Sequence, residues 1–163
     1  MNGRGFYAAY GSNLNLRQMQ VRCPTAEPLF AGYIEGYALA FKGDACSAVA
    51  TIEPRDGSRV PVLVWEPQAE DWRALDRYEG YPHLYGLERM AVRHDGVESS
   101  VNAYIMDERF RYGLPSEYYF DTIAQGYEDN GLDVKHLYDA LAVTQLRMGE
   151  QLGRDEQMSL EWR

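Results

Sequence analysis

The chain has 163 residues, with 25 Asp and Glu against 16 Lys and Arg, for a formal net charge of −9 at pH 7. That length suits one domain, expected over 1–163, that can bury a core without disulfides or a structural metal. The acidic balance excludes a general attraction to nucleic acid: Arg89, Arg93, Arg109 and Arg111 are interspersed with Glu88, Asp107 and Glu108 and form no basic patch.

In chain order, Met1 to Gly5 lacks the cationic and apolar segments of a signal peptide, and no apolar run approaches the roughly 20 residues that cross a bilayer. A cytoplasmic protein with no membrane role is expected. Cys23 and Cys46 lie far apart without a CxxC pair, as plain thiols of a reducing compartment. Tyr7-Ala8-Ala9-Tyr10 reads as a short strand that breaks into Gly11-Ser12-Asn13. Two readings are open. Either the break is a binding loop, with Gly11 allowing backbone angles closed to other residues and close approach to the main chain, or Ser12 or Asn13 caps a helix beginning near Leu14.

Leu29 to Phe41 and Ser47 to Ile52 read as adjacent strands. The turn Pro54-Arg55-Asp56-Gly57 then predicts a hairpin into Val60 to Trp65. Pro67 to Tyr78 has an early proline, early acids, and Trp72, Leu75 and Tyr78 at helical spacing, and is stopped by Gly80 and Pro82. Leu87 to Arg93 and Val97 to Met106 form a second hairpin through His94-Asp95-Gly96. Pro115-Ser116-Glu117 opens a helix to about Asp129, Val134 to Gly149 carries another, and the charged tail from Leu152 is expected as frayed or helical. Strands come first and helices mostly later, which predicts an α+β domain with an antiparallel, barrel-like sheet.

Glu79 sits at the C-terminal end of the short helix opened by Pro67, where it must stop. A carboxylate there meets the negative end of the helix dipole, and screening by Tyr78, Tyr81 and Tyr85 would raise its pKa towards the range a general acid/base needs. Competing chemistries lack their parts. His83, His94 and His136 show no metal-binding spacing, Ser12 stands in no GxSxG elbow, and GxxxxGK[ST] is missing. Tyrosine, at 13 residues, is abundant enough to line a mostly dry pocket with a few polar tips.

Tyr10-Gly11-Ser12-Asn13-Leu14, followed by Leu75-Asp76 and Glu79-Gly80, resembles the γ-glutamylcyclotransferase family, also called AIG2-like. Ala48 to Ile52, Val60 to Trp65, Tyr104-Ile105-Met106, and Pro115-Ser116 with Tyr119 and Asn130-Gly131-Leu132 echo its pattern in order. The resemblance implies the cyclotransferase-like fold, a mixed or antiparallel barrel-like sheet with surrounding helices. It makes Glu79 the catalytic acid/base and Tyr7, Ala8, Ala9, Tyr10, Gly11, Ser12 and Asn13 the segment that cradles a γ-glutamyl group. Tyr119 would contact substrate, with Tyr85 and Tyr104 as pocket aromatics. The implied reaction releases 5-oxoproline and needs no metal or organic cofactor.

Tyr81-Pro82 and the Glu79 to Tyr85 spacing resemble bacterial members and the γ-glutamylamine branch, while Asn130-Gly131-Leu132 favours the branch acting on γ-glutamyl amino acids. Three alternatives stay open: a γ-glutamylamine enzyme, removal of a γ-glutamyl protecting group in biosynthesis, and a non-catalytic small-molecule-binding protein of the same fold. The expected partner is a small γ-glutamyl molecule, and the chain is read as a monomer or weak homodimer.

Overall fold

Strands β1 (Tyr7–Ala9), β2 (Glu27–Lys42), β3 (Val49–Glu66), β4 (Tyr85–His94) and β5 (Val97–Met106) alternate with helices α1 (Leu16–Arg22) and α2 (Ala69–Glu79), and helices α3 (Glu117–Asp129) and α4 (Lys135–Glu161) follow. This is a computed structural model describing residues 3–161. The strands close into a barrel in the order β1-β3-β2-β4-β5. The sheet is mixed because β1 does two jobs: it runs antiparallel to β3, with Tyr7 opposite Trp65, and parallel to β5, with Tyr7 opposite Asn102. Closure leaves the barrel no unpaired edge at β1, and Ala8, Ala9, Val60, Val62, Val64, Val92, Val101 and Ala103 are fully buried.

The hairpin expected at Pro54 to Gly57 does not form. β3 is one strand of 18 residues that stays antiparallel to β2 on both sides of that segment. Glu35 pairs with Arg59 and Tyr37 with Pro54, so Arg55 to Ser58 bulge out opposite the single residue Gly36. Gly36 and Gly57 both take positive φ, 77° and 79°, on the two sides of the bulge. The Asp-Gly signal thus marks a real backbone reversal of φ, but one that bends a strand and does not end it.

Helix boundaries follow their caps. Gln68 and Asp71 form a capping box at the start of α2, and Gly80 ends it in the left-handed conformation with φ 62°. Ser116 caps α3 by accepting from Tyr119 N at 3.2 Å. The helix expected to begin near Leu14 begins at Leu16. Its cap is Asn15, which accepts from Gln18 N at 3.0 Å, and neither Ser12 nor Asn13 takes that role. Of the two readings of the charged tail, frayed or helical, the helical one holds: it continues α4 to Glu161, tied back by Arg111 to Asp155 at 2.5 Å and by Tyr112 N to Gln151 Oε1 at 3.2 Å. No helix among the described residues is long and apolar enough to cross a membrane.

Candidate active site

β1 leaves the barrel wall through Tyr10 and Gly11 into a 3₁₀ turn at Ser12–Leu14. Gly11 keeps a negative φ of −116°, so a left-handed backbone is not the reason for glycine here. The reason is space: a Cβ would stand 3.2 Å from Ala50 Cβ and 3.4 Å from the Tyr119 hydroxyl. The turn is pinned from behind by α3. Asn130 Nδ2 donates to Leu14 O at 2.8 Å, Asn15 Nδ2 donates to Thr122 O at 3.1 Å, and Leu16 N donates to Asp129 Oδ2 at 3.1 Å. The amides of Gly11, Ser12 and Asn13 open that turn, and none has an acceptor among the described residues.

α2 delivers Glu79 to the same place from the other side. Glu79 and the turn share a cavity of about 220 Å³, lined by Tyr7, Tyr10, Gly11, Ser12, Asn13, Val49, Ala50, Tyr78, Glu79, Leu84, Tyr85, Tyr104 and Tyr119. Glu79 is half-buried because its carboxylate opens onto this cavity. Protein packed around it still pushes the carboxyl from 4.5 up to about 7, against the opposing pull of the Arg22 guanidinium. No hydrogen bond among the described residues holds it in either protonation state.

Six tyrosines form the wall, and most of their hydroxyls are already committed. Tyr10 donates to Tyr104 O, Tyr85 donates to Ala50 O at 2.5 Å, and Tyr104 donates to Asp76 Oδ1 at 2.7 Å. Asp76 also accepts from Arg4 at 2.7 and 2.9 Å, which fixes the carboxylate that holds Tyr104. Tyr78 and Ser12 share a hydrogen bond of 2.7 Å. By contrast, Tyr7 accepts from Asn13 Nδ2 at 3.0 Å and Tyr119 accepts from Ala50 N at 3.0 Å, so each keeps its own hydroxyl hydrogen for a ligand. Burial pushes Tyr7, Tyr10, Tyr85, Tyr104 and Tyr119 upward, keeping them neutral donors near physiological pH.

Of the residues the sequence singled out, Glu79, Tyr7, Tyr10, Gly11, Ser12, Asn13, Tyr85, Tyr104 and Tyr119 line the cavity together. Ala8 and Ala9 do not: both are buried in β1 and serve to register Tyr7 and Tyr10 against β3. Tyr81, expected to screen Glu79, turns instead to the Arg4 guanidinium at 5.3 Å and to Tyr104 at 6.2 Å. Val49, Ala50 and Leu84 enter the wall without any chemical signal in the sequence, because barrel closure alone brings them there. Arg22 was also missed. It ends a short helix with no local mark, and only the fold lays it over Tyr78. Among the described residues no cluster of three or more His, Cys, Asp or Glu could hold a metal ion.

The closed five-stranded barrel with its surrounding helices is a gamma-glutamyl cyclotransferase fold, as comparison with known proteins shows. Residues 7–121 match the model of the gamma-glutamyl cyclotransferase, AIG2-like family, and the chain belongs to that family. The human gamma-glutamylcyclotransferase is 27% identical over 139 residues, which is 80% of this chain and 73% of the relative. The bovine one is 28% identical over 145 residues, 83% of this chain and 77% of the relative. A solved gamma-glutamyl cyclotransferase structure superposes with a TM-score of 0.76 at 25% identity, over 83% of this chain and 85% of its own.

Proposed function

We propose that this protein is a γ-glutamylcyclotransferase that converts a γ-glutamyl compound into 5-oxoproline and a free amine or amino acid. The observation that carries this reading is the pairing of Glu79, with its carboxyl raised to about 7, and the unpaired amides of Gly11, Ser12 and Asn13 across one cavity. A base with a pKa near neutrality can both take and return a proton at working pH.

Glu79 takes a proton from the α-ammonium of the substrate. The freed amine nitrogen attacks the γ-carbonyl carbon and closes a five-membered ring, leaving a tetrahedral oxyanion. The turn amides donate to that oxygen. As the oxyanion collapses, the carbon–nitrogen bond to the departing amine breaks and protonated Glu79 gives that nitrogen a proton. The ring nitrogen then sheds its second proton to Glu79, which passes it to the freed amine, so that the amine leaves as an ammonium and Glu79 returns to the carboxylate. The aromatic wall holds the flexible glutamyl chain folded upon itself, so part of the barrier is met by positioning. Tyr7 and Tyr119, with uncommitted hydroxyl hydrogens, are the donors available to the substrate's polar ends. The setting is a cytoplasmic one, consistent with Cys23 and Cys46 as free thiols, and the partner is a small molecule bound by a monomer or weak homodimer.

The test is release of 5-oxoproline from γ-glutamyl dipeptides by the wild type and by Glu79→Gln. Gln keeps the shape and cannot exchange the proton, so kcat should fall by a factor of about 10² to 10⁴. Turnover that survives the substitution contradicts the role given to Glu79.

A further inference from the structure

Resting on the cyclotransferase reading, we propose that Arg22 is a specificity-determining residue, which recognises a free carboxylate on the amino acid that departs from the γ-glutamyl group. The geometry begins with the direction of the cavity. Tyr78 is the one exposed residue of its lining, 43% exposed, whereas Tyr7, Tyr10, Asn13, Tyr85 and Tyr104 on the floor are buried. The glutamyl portion must lie on that floor beside Glu79 for its amine to reach its γ-carbonyl. The departing group therefore leaves past Tyr78.

Arg22 lies at that rim. Its guanidinium stacks on the Tyr78 ring at 3.4 Å from the centroid, donates to Asn13 Oδ1, and donates to Gln18 Oε1 at 3.2 Å. Those bonds use two of its five N–H groups and fix its plane, leaving the others for a ligand. In a chain of net charge −9, this half-buried arginine pairs with no carboxylate among the described residues. Its charge is nonetheless felt inside the cavity, since it opposes the upward shift of Glu79. A fixed, unpaired guanidinium beside an aromatic rim is suited to a carboxylate, and a γ-glutamylamine offers none there.

The experiment compares γ-glutamylalanine with its C-terminal amide, which differ in that one charge, using 5-oxoproline as readout. The wild type should prefer the free acid by about tenfold or more in kcat/KM, as expected for a charge-assisted hydrogen bond. Arg22→Gln should bring the ratio to about one by slowing the acid alone, and Arg22→Lys should restore part of it. The ratio is taken on one preparation, so partial misfolding cancels. Equal use of both substrates by the wild type overturns the inference, as does a wild-type ratio that persists in Arg22→Gln. Equal losses on both substrates would mean that Arg22 only props Asn13 and Tyr78, which also overturns it. Wild-type protein that releases 5-oxoproline from a γ-glutamylamine and from neither of these substrates overturns the inference and leaves the cyclotransferase reading standing, whereas release from none of the three refutes that reading and the inference with it.

Discussion

Tyr85 and Tyr119 hang from the same residue of β3. The Tyr85 hydroxyl donates to the Ala50 carbonyl at 2.5 Å, and the Tyr119 hydroxyl accepts from the Ala50 amide at 3.0 Å. One wall tyrosine from β4 and one from α3 are thereby set by a single peptide position in the barrel.

Their removal should have different consequences. Tyr85→Phe leaves a buried carbonyl without its donor and should cost about 1 to 3 kcal/mol of stability, with KM little changed. Tyr119→Phe leaves the Ala50 amide unpaired at a similar cost, and also removes a hydroxyl hydrogen that is free for substrate. Its kcat/KM should fall about tenfold or more. Chemical denaturation and steady-state kinetics on the two variants check the contrast, and identical kinetic losses would contradict it.

Glu79 should cost stability at alkaline pH. Its carboxyl is raised from 4.5 to about 7 in the folded protein. Below pH 4.5 both folded and unfolded states hold the proton and there is no cost. Between 4.5 and 7 the unfolded carboxyl ionises first, so stability falls as pH rises, reaching its full cost above 7 at no more than about 3 kcal/mol. Glu79→Gln has no such proton. Its stability relative to wild type should grow from pH 5 to pH 8, as read by urea unfolding at both values, and a constant difference would contradict the raised carboxyl.

Two helical glycines should respond in opposite directions. At Gly126 in α3 a Cβ would meet Leu14 Cβ at 2.6 Å and Asn15 N at 2.7 Å, so Gly126→Ala must push the Ser12–Leu14 turn away. About 1 to 3 kcal/mol of stability should be lost, together with activity. At Gly149 in α4 a Cβ meets nothing within 4 Å, and Gly149→Ala should stabilise by about 0.5 to 1 kcal/mol without touching turnover. Thermal melts of both variants decide this.

What could be read from the sequence was what short-range chemistry fixes. The end of α2 is legible because Gly80 must follow Glu79 in the left-handed conformation, and the turn after Tyr10 is legible because apolar residues give way to Gly-Ser-Asn. The course of β3 was not, since a positive φ at Gly57 serves a hairpin and a bulge equally well. Only the pairing of β2 with both halves of β3 selects the bulge. Tyr81 and Arg22 show the same limit. Nearness in sequence put Tyr81 beside Glu79, but the barrel turns it to Arg4, whereas Arg22 is remote in sequence and stacks on Tyr78. Contacts across the closed barrel carry no mark in the residues that make them.

The most direct measurement is the pH dependence of kcat/KM for 5-oxoproline release between pH 5 and pH 9. If Glu79 in its buried setting is the base, kcat/KM rises with unit slope on the acid side and bends at about 7, the pKa of its carboxyl in the free enzyme. A profile that is flat down to pH 5, or that bends near the ordinary carboxylate value of 4.5, would contradict it.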